Sequence, residues 1–209
     1  MPGIEPTGFE SWVRLLTFVP ILACSVVGFG VTLIKWMQLR KSNTPSDLTL
    51  HRLREAILAR DYGAALRISR DEPTRLSRIV SVLLRHAGRS RDALKDQAAR
   101  VGARLASELD YGLGGLALIA TLGPLFGLFG TVVGIILVFA RLAATDGLAN
   151  PQQLAGGIGT ALYTTVAGLL VGILALVFHR YFVSRVDAAV ADLEEASLEL
   201  LDMMSEEPS

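Results

Sequence analysis

The sequence predicts an all-α membrane protein, with three transmembrane helices and long helical extensions on one side of the bilayer. Three observations carry that prediction. Leu15–Ile34, Tyr111–Ala140 and Gly147–Phe178 contain no charged side chain, and each reaches the ~20 apolar residues that a hydrocarbon core requires. Between and beyond these runs, apolar residues recur at helical spacing. No segment shows the alternation of a strand. A hydrophobic fraction of 51% and a mean hydropathy of +0.46 fit the same class.

The first crossing is read as 15–36, preceded by a short segment, 1–14. Trp12 and Trp36 suit the two interfaces, and Pro20 sits in the first turns, where a membrane helix tolerates it. The run is too long for a usual signal-peptide core, and Glu5 and Glu10 precede it, so it reads as a retained helix. The next segment, 37–110, is helical and amphipathic. Leu53 and Ile57, then Ala64, Ala65 and Ile68, mark two short pieces broken around Asp61-Tyr62-Gly63. Pro73 starts a longer helix with Leu76, Ile79, Val80, Leu83 and Leu84 on one stripe. Ala93, Leu94, Ala98, Val101 and Leu105 continue the period past a weak point at Gly88. That helix is expected to run on as one rod into the second crossing, 111–140. A short connection, 141–154, leads to the third crossing, 155–178. Val183, Val186, Val190, Leu193 and Leu200 then extend it through 179–209 with an acidic outer face.

The formal net charge is zero, with 20 basic and 20 acidic residues, but the charges are segregated. Lys35–Asp110 holds 16 basic and 9 acidic residues, and the chain from Arg180 onward holds 2 and 8. Lys35, Arg40 and Lys41 follow the first crossing, and Arg100 and Arg104 approach the second. The positive-inside rule therefore puts the N-terminus and 141–154 outside, with 37–110 and 179–209 in the cytoplasm. Nucleic-acid binding is a poor explanation of the basic segment, because acids are interspersed and no aromatic platform accompanies it.

No Asp, Glu, Lys, Arg or His lies within the three uncharged runs, 15–34, 111–140 and 147–178, so this chain alone lacks the titratable group of an ion carrier. It offers hydroxyls instead: Thr121 and Thr131 in the second crossing, Thr160, Thr164 and Thr165 in the third. Thr121 and Thr131 are ten residues apart and Thr160 and Thr164 four apart, so each pair is expected to share a helix face. The plainer use of such hydroxyls is bonding back to the i−4 carbonyl. Gly123, Gly127, Gly130 and Gly134, with Gly168 and Gly172, give the small-residue spacing that lets membrane helices approach closely. Three helices alone do not bury so many small and polar positions, which points to an oligomer around a lumen. Pro124 is expected to kink the second crossing near its cytoplasmic end.

Leu125–Ile135 and Gly157–Leu169 resemble the signatures of the ExbB/TolQ/MotA proton-channel family. The order of elements is also similar, and three crossings bring the chain closest to the ExbB/TolQ branch. The resemblance implies a bacterial inner-membrane protein, N-terminus out and C-terminus in, assembled as a pentamer. The partner implied is a single-pass ExbD/TolR-like subunit whose membrane helix carries an aspartate, with a TonB- or TolA-like transducer beyond it. Ion flow, of protons by the family resemblance, would then drive rotation that energises a periplasmic or outer-membrane process. The family's lumen-facing threonines fall on Thr131 and Thr165, and Thr160 stands where many ExbB and TolQ proteins have glutamate.

The alternative is a membrane scaffold in which glycine and threonine serve packing alone. Cys24 reads as a small packing residue. His51, His86 and His179 lack metal-ligand spacing, and no nucleophile, base or phosphate-loop motif is present. Neither a cofactor, a metal nor an enzymatic activity is therefore expected.

Overall fold

The computed structural model describes residues 6–40, 47–88, 90–144 and 150–205. These form seven helices: α1 Pro6–Arg40, α2 Asp47–Leu58, α3 Tyr62–Asp71, α4 Arg75–Arg85, α5 Arg91–Asp110, α6 Leu113–Ala144 and α7 Pro151–Ser205. No strand occurs among the described residues. The chain divides into two compact units, the first of Met1–Lys35 with Gly112–Tyr181 and the second of Trp36–Tyr111 with Phe182–Ser209.

The first unit contains α1, α6 and the opening part of α7. Three helices of the chain are long and apolar enough to cross a membrane. Their outer faces expose large apolar side chains, Leu22 at 65%, Phe29 at 71% and Phe139 at 62% among them. Exposure on that scale is expected of a surface meant for lipid or for other apolar helices, not for water. Pro20 and Pro124 both lie inside continuous helices. α7 opens on Asn150, whose side-chain oxygen accepts from the Gln152 amide at 3.0 Å, with Pro151 at the first helical position. Proline suits that place because its missing N–H has no helical partner there anyway. Of the expected boundaries, Trp12 and Arg14 have side chains outside the described set. Lys41, the connection at 145–149 and the last four residues also lie outside the described residues.

In the second unit, α4 is the central element. Leu76, Ile79, Val80, Leu83 and Leu84 are all buried, as their spacing predicted. Leu76, Val80 and Leu84 meet Leu53, Ile57, Ala65 and Leu200. Ile79 and Leu83 meet Leu94, Ala98, Leu105 and Leu201. α4 thus packs on both sides, and Leu200 and Leu201 of α7 complete both clusters. Leu83→Ala should lower the stability of this unit by about 2–5 kcal/mol, the usual cost of emptying a fully buried leucine site. A urea titration followed by helical circular dichroism measures it; a loss under about 1 kcal/mol contradicts the packing.

Helix ends in this unit are set by local chemistry. The Asp61 carboxylate accepts from the Ala64 amide at 2.8 Å, and the Thr74 hydroxyl from the Ser77 amide at 3.1 Å. α4 accordingly starts at Arg75 rather than at Pro73, because Thr74 supplies the acceptor that the free amides need. The break before α3 falls on Arg60, at φ 54°, and Asp61, leaving Gly63 inside the helix. The acidic tail of α7 is not purely solvated either. Glu199 accepts from Arg54 at 2.6 Å and Asp202 from Arg91 at 2.5 Å. Both pairs are about half exposed and contribute little beside the leucines.

One expectation is overturned. The rod expected from Pro73 into the second crossing is interrupted twice. His86 ends α4, followed by Gly88 at φ +96°, and Tyr111 ends α5, followed by Gly112 at φ +92°. Left-handed backbone is open to glycine and costs other residues about 1–2 kcal/mol, so these two glycines are where the helix can turn. A Cβ at Gly112 would lie 3.7 Å from Lys35 Cε, an ordinary contact, so the requirement there is conformational.

Candidate functional site: a glycine seam with a hydroxyl pair

α6 and the first part of α7 pack antiparallel with their backbones in contact. A Cβ placed on Gly168 would stand 2.5 Å from the Gly123 carbonyl oxygen and 2.7 Å from Gly127 Cα. On Gly127 it would meet the Thr164 carbonyl and Thr165 Cα, both at 3.0 Å. On Gly130 it would meet Thr164 Oγ1 at 2.5 Å and Cβ at 2.9 Å, and on Gly134 the Ala161 Cβ at 2.6 Å. Gly172 faces the Pro124 ring, whose Cδ would lie 2.6 Å away. Pro124 has no N–H to give Ala120, and that carbonyl oxygen lies 3.1 Å from the same Gly172 position. Real Cβ atoms essentially never come closer than 3.0 Å, so Gly168, Gly130, Gly134 and Gly172 cannot take a side chain without movement of the seam, and Gly127 stands at the limit. Without a water-driven hydrophobic force in lipid, close van der Waals contact of this kind is what holds membrane helices together.

Gly157 belongs to the seam as well, since a Cβ there would lie 2.5 Å from Val138 Cγ2. Counting glycine pairs alone passes over it. The wider pattern of small residues at four-residue spacing, Gly157-x-x-x-Ala161 continuing to Thr165, contains the signal.

The seam decides which hydroxyls meet. Thr131 and Thr164 are 7% and 3% exposed. Thr165 is half-buried; its hydroxyl donates across the seam to the Gly127 carbonyl at 3.0 Å and lies 3.4 Å from Thr131 Oγ1. Thr164 donates to Ala161 O at 2.6 Å and also approaches Gly127 O at 3.3 Å. Thr131 donates to Leu128 O at 2.7 Å. A hydroxyl has one proton and two lone pairs. With their protons directed at carbonyls, Thr131 and Thr165 present oxygen lone pairs side by side, bridging two helices.

Thr121 and Thr160 are not part of this group. Both are exposed and bond back to the carbonyl four residues earlier, Ala117 at 3.1 Å and Gly156 at 2.9 Å. The expected pairing of Thr121 with Thr131 on one face fails for a geometric reason: ten residues at 100° each leave them about 80° apart. Thr160 and Thr164 likewise separate into an exposed and a buried position. The plain back-bonded use thus describes Thr121 and Thr160, and the cross-helix use describes Thr165.

Between Gly112 and Phe178 the only charged residues of the sequence are Arg141 and Asp146, of which Asp146 lies outside the described residues. Among the described residues no group of His, Cys, Asp and Glu is placed to hold a metal ion.

The profile of the MotA/TolQ/ExbB proton channel family matches residues 71–195, more than half of the chain. A putative biopolymer transport protein ExbB homolog from Methanothermobacter thermautotrophicus is 32% identical over 175 residues, covering 83% of this chain and 62% of that protein. The biopolymer transport protein exbB1 of Vibrio cholerae is 38% identical over 119 residues, 57% of this chain and 52% of its own length. The biopolymer transport protein ExbB of Neisseria meningitidis is 25% identical over 205 residues, 92% of this chain and 93% of its own. The chain therefore spans about half to two thirds of the first two relatives and nearly all of the third. The matched residues include the seam, Thr131 and Thr165, all of α6 and most of α7, and the chain belongs to the MotA/TolQ/ExbB proton channel family.

Proposed function

We propose that this chain is the ring-forming subunit of an ion-driven motor in a bacterial inner membrane. On this reading five copies surround the membrane helices of an ExbD/TolR-like partner. The observation that carries it is the Thr131–Thr165 pair: two hydroxyl oxygens held together across a tight seam, in uncharged helix stretches that bring no carboxylate of their own. A partner aspartate would supply the titratable group. Hydroxyls are suited to meet it because each accepts from the carboxylic acid as it stands and, by turning its proton from the carbonyl, donates to the carboxylate. A charge left unpaired in hydrocarbon is expensive, so such partners are needed along its path. The N-terminus lies outside and the second unit in the cytoplasm. A TonB- or TolA-like transducer would carry the work to the periplasm or outer membrane. Pro124, at the inner half of α6, is where the lumen widens.

A packing-only scaffold is the second reading. It is favoured by one observation, that the protons of Thr131 and Thr165 are already directed to Leu128 O and Gly127 O. Co-expression separates the two. The full chain should co-purify with a single-pass protein that carries a membrane aspartate, in a ratio of five copies to two, read by native mass spectrometry. Purification as a lone assembly from a host that supplies such partners would leave the scaffold as the better reading.

A further inference from the structure

Thr165 has two tasks on the reading proposed above. It bonds α7 to α6, and it turns its proton toward a passing carboxylate. One hydroxyl proton cannot do both at once. The residue before it supplies a way out. Thr164 is 3% exposed, so it presents no face to a passing charge, yet its hydroxyl has two carbonyls within reach. One is Ala161 O on its own helix at 2.6 Å, and the other is Gly127 O across the seam at 3.3 Å. Thr165 Oγ1 lies 3.0 Å from that same Gly127 O. Adjacent side chains converge on one carbonyl because the α7 backbone lies directly against Gly127. A Cβ there would stand 3.0 Å from both the Thr164 carbonyl oxygen and Thr165 Cα.

A carbonyl oxygen has two lone pairs. Gly127 lies inside the continuous helix α6, so one of its pairs is committed to the helical N–H four residues on. One pair is left, and two hydroxyls can reach it. At 3.0 Å against 3.3 Å, Thr165 holds it, and Thr164 rests on Ala161 O. We infer that Thr164 is the reserve donor to the Gly127 carbonyl: when Thr165 turns its proton away, Thr164 turns its own from Ala161 O to Gly127 O and keeps α6 and α7 bonded. The exchange rotates one proton about the Thr164 Cβ–Oγ1 bond and needs no heavy atom to move, which suits a seam with so little room. Ala161 O keeps its own helical N–H throughout, since α7 is continuous there. Thr164 is then a positioning residue. It touches no ion, and it holds the Gly127 backbone against Thr165 while Thr165 is occupied. Its part in a working cycle rests on the proposed function; the exchange itself does not.

The exchange is tested by a double-mutant cycle on the full-length protein in detergent micelles, unfolded with SDS. Thr164→Val, Thr165→Val and the double variant are compared, valine keeping the shape of threonine without its hydroxyl. With Thr164 in reserve, the loss in Thr165→Val alone is cushioned. The double variant should therefore lose more than the two singles together, by about three- to twentyfold in the folding equilibrium, the worth of one interhelical polar contact. Additive losses, or a double variant milder than the sum, overturn the exchange. A double variant that does not fold where both singles do is the expected result at its limit. Thr164→Ala and Thr165→Ala repeat the cycle if a single valine variant does not fold. The part played in the cycle is read separately, as proton uptake by liposomes holding the chain co-purified with its single-pass partner, reported by a pH-sensitive dye. Thr164→Val should slow uptake about three- to twentyfold, and Thr164→Ser, which keeps the hydroxyl and lacks the methyl, should restore most of it. Uptake unchanged in Thr164→Val, or slowed equally by serine and valine, overturns that part. Full uptake by Thr165→Val would count against the motor reading instead, and the stability cycle would still decide the exchange.

Discussion

Gly168→Ala and Gly130→Leu each prevent the protein from assembling in the membrane, whereas Gly159→Ala on the same helix as Gly168 is tolerated. This is the expected result of backbone contact between α6 and α7. A single methyl at Gly168 meets a carbonyl oxygen at 2.5 Å and a Cα at 2.7 Å, both main-chain atoms with no freedom to turn aside. At Gly130 the obstacle includes Thr164 Cβ at 2.9 Å, which no rotation about χ1 moves. The Cβ of an alanine at Gly159 meets nothing within 4 Å. To admit the larger residue the helices must separate. Overpacking costs about 1–3 kcal/mol, and separation also gives up the Thr165–Gly127 bond, about 0.6–1.7 kcal/mol in a membrane protein. Against a total stability of order 5–15 kcal/mol, a loss of about 2–5 kcal/mol brings a protein at the low end of that range to the edge of unfolding. Yield and monodispersity after detergent extraction, with melting temperature, decide the matter. Equal behaviour of Gly168→Ala and Gly159→Ala would show that the seam is not what holds the pair.

The second large effect is functional. On the proposed motor function, Thr131→Val with Thr165→Val should abolish the energised process while the assembly survives. Valine keeps the shape of threonine and removes both donor and acceptor. The structural loss is small, since the Thr165–Gly127 bond falls within the modest range for interhelical polar contacts. The loss to a passing charge is larger. A hydrogen bond to a charged group is worth about 1.5–3 kcal/mol, which corresponds to roughly tenfold to more than hundredfold in rate for each hydroxyl. Thr121→Val and Thr160→Val, which remove only back-bonded hydroxyls, should have the weaker effect. The measurement is ion-driven activity in cells, set beside the oligomer profile of the same preparations. Normal activity of the double variant would favour the scaffold.

Much of the architecture was legible in the chain. The uncharged runs announced α1, α6 and the opening of α7, because lipid imposes one requirement on every residue that faces it. Leu76 through Leu84 announced the buried stripe of α4 for the same reason in water. The breaks were less legible. Gly102, Gly114 and Gly115 remain helical, while Gly88 and Gly112 turn left-handed. A helix tolerates glycine at about 1 kcal/mol, so the residue type does not say which glycine bends; that depends on packing remote in sequence. The hydroxyls were legible as a set but not in their pairing. Spacing along one helix fixes an azimuth to tens of degrees, and only the neighbouring helix shows which azimuth is buried. Thr131 and Thr165 were joined by the resemblance; the contacts added Gly157 and separated Thr164, buried at the seam, from Thr160.

The seam also has a kinematic consequence. Helices that touch through side chains can slide, because rotamers give way. α6 and α7 touch through main chain, and an axial shift of one residue, about 1.5 Å, would drive Thr164 or Ala161 into backbone that cannot yield. The hairpin therefore transmits load as one stiff part. The packing of α1 on α6 is looser at Gly28, where a Cβ would stand 3.5 Å from the end of the Ile119 side chain, an ordinary distance. If the chain works as the motor subunit proposed above, the hairpin would be the bearing surface and α1 the more compliant part behind it.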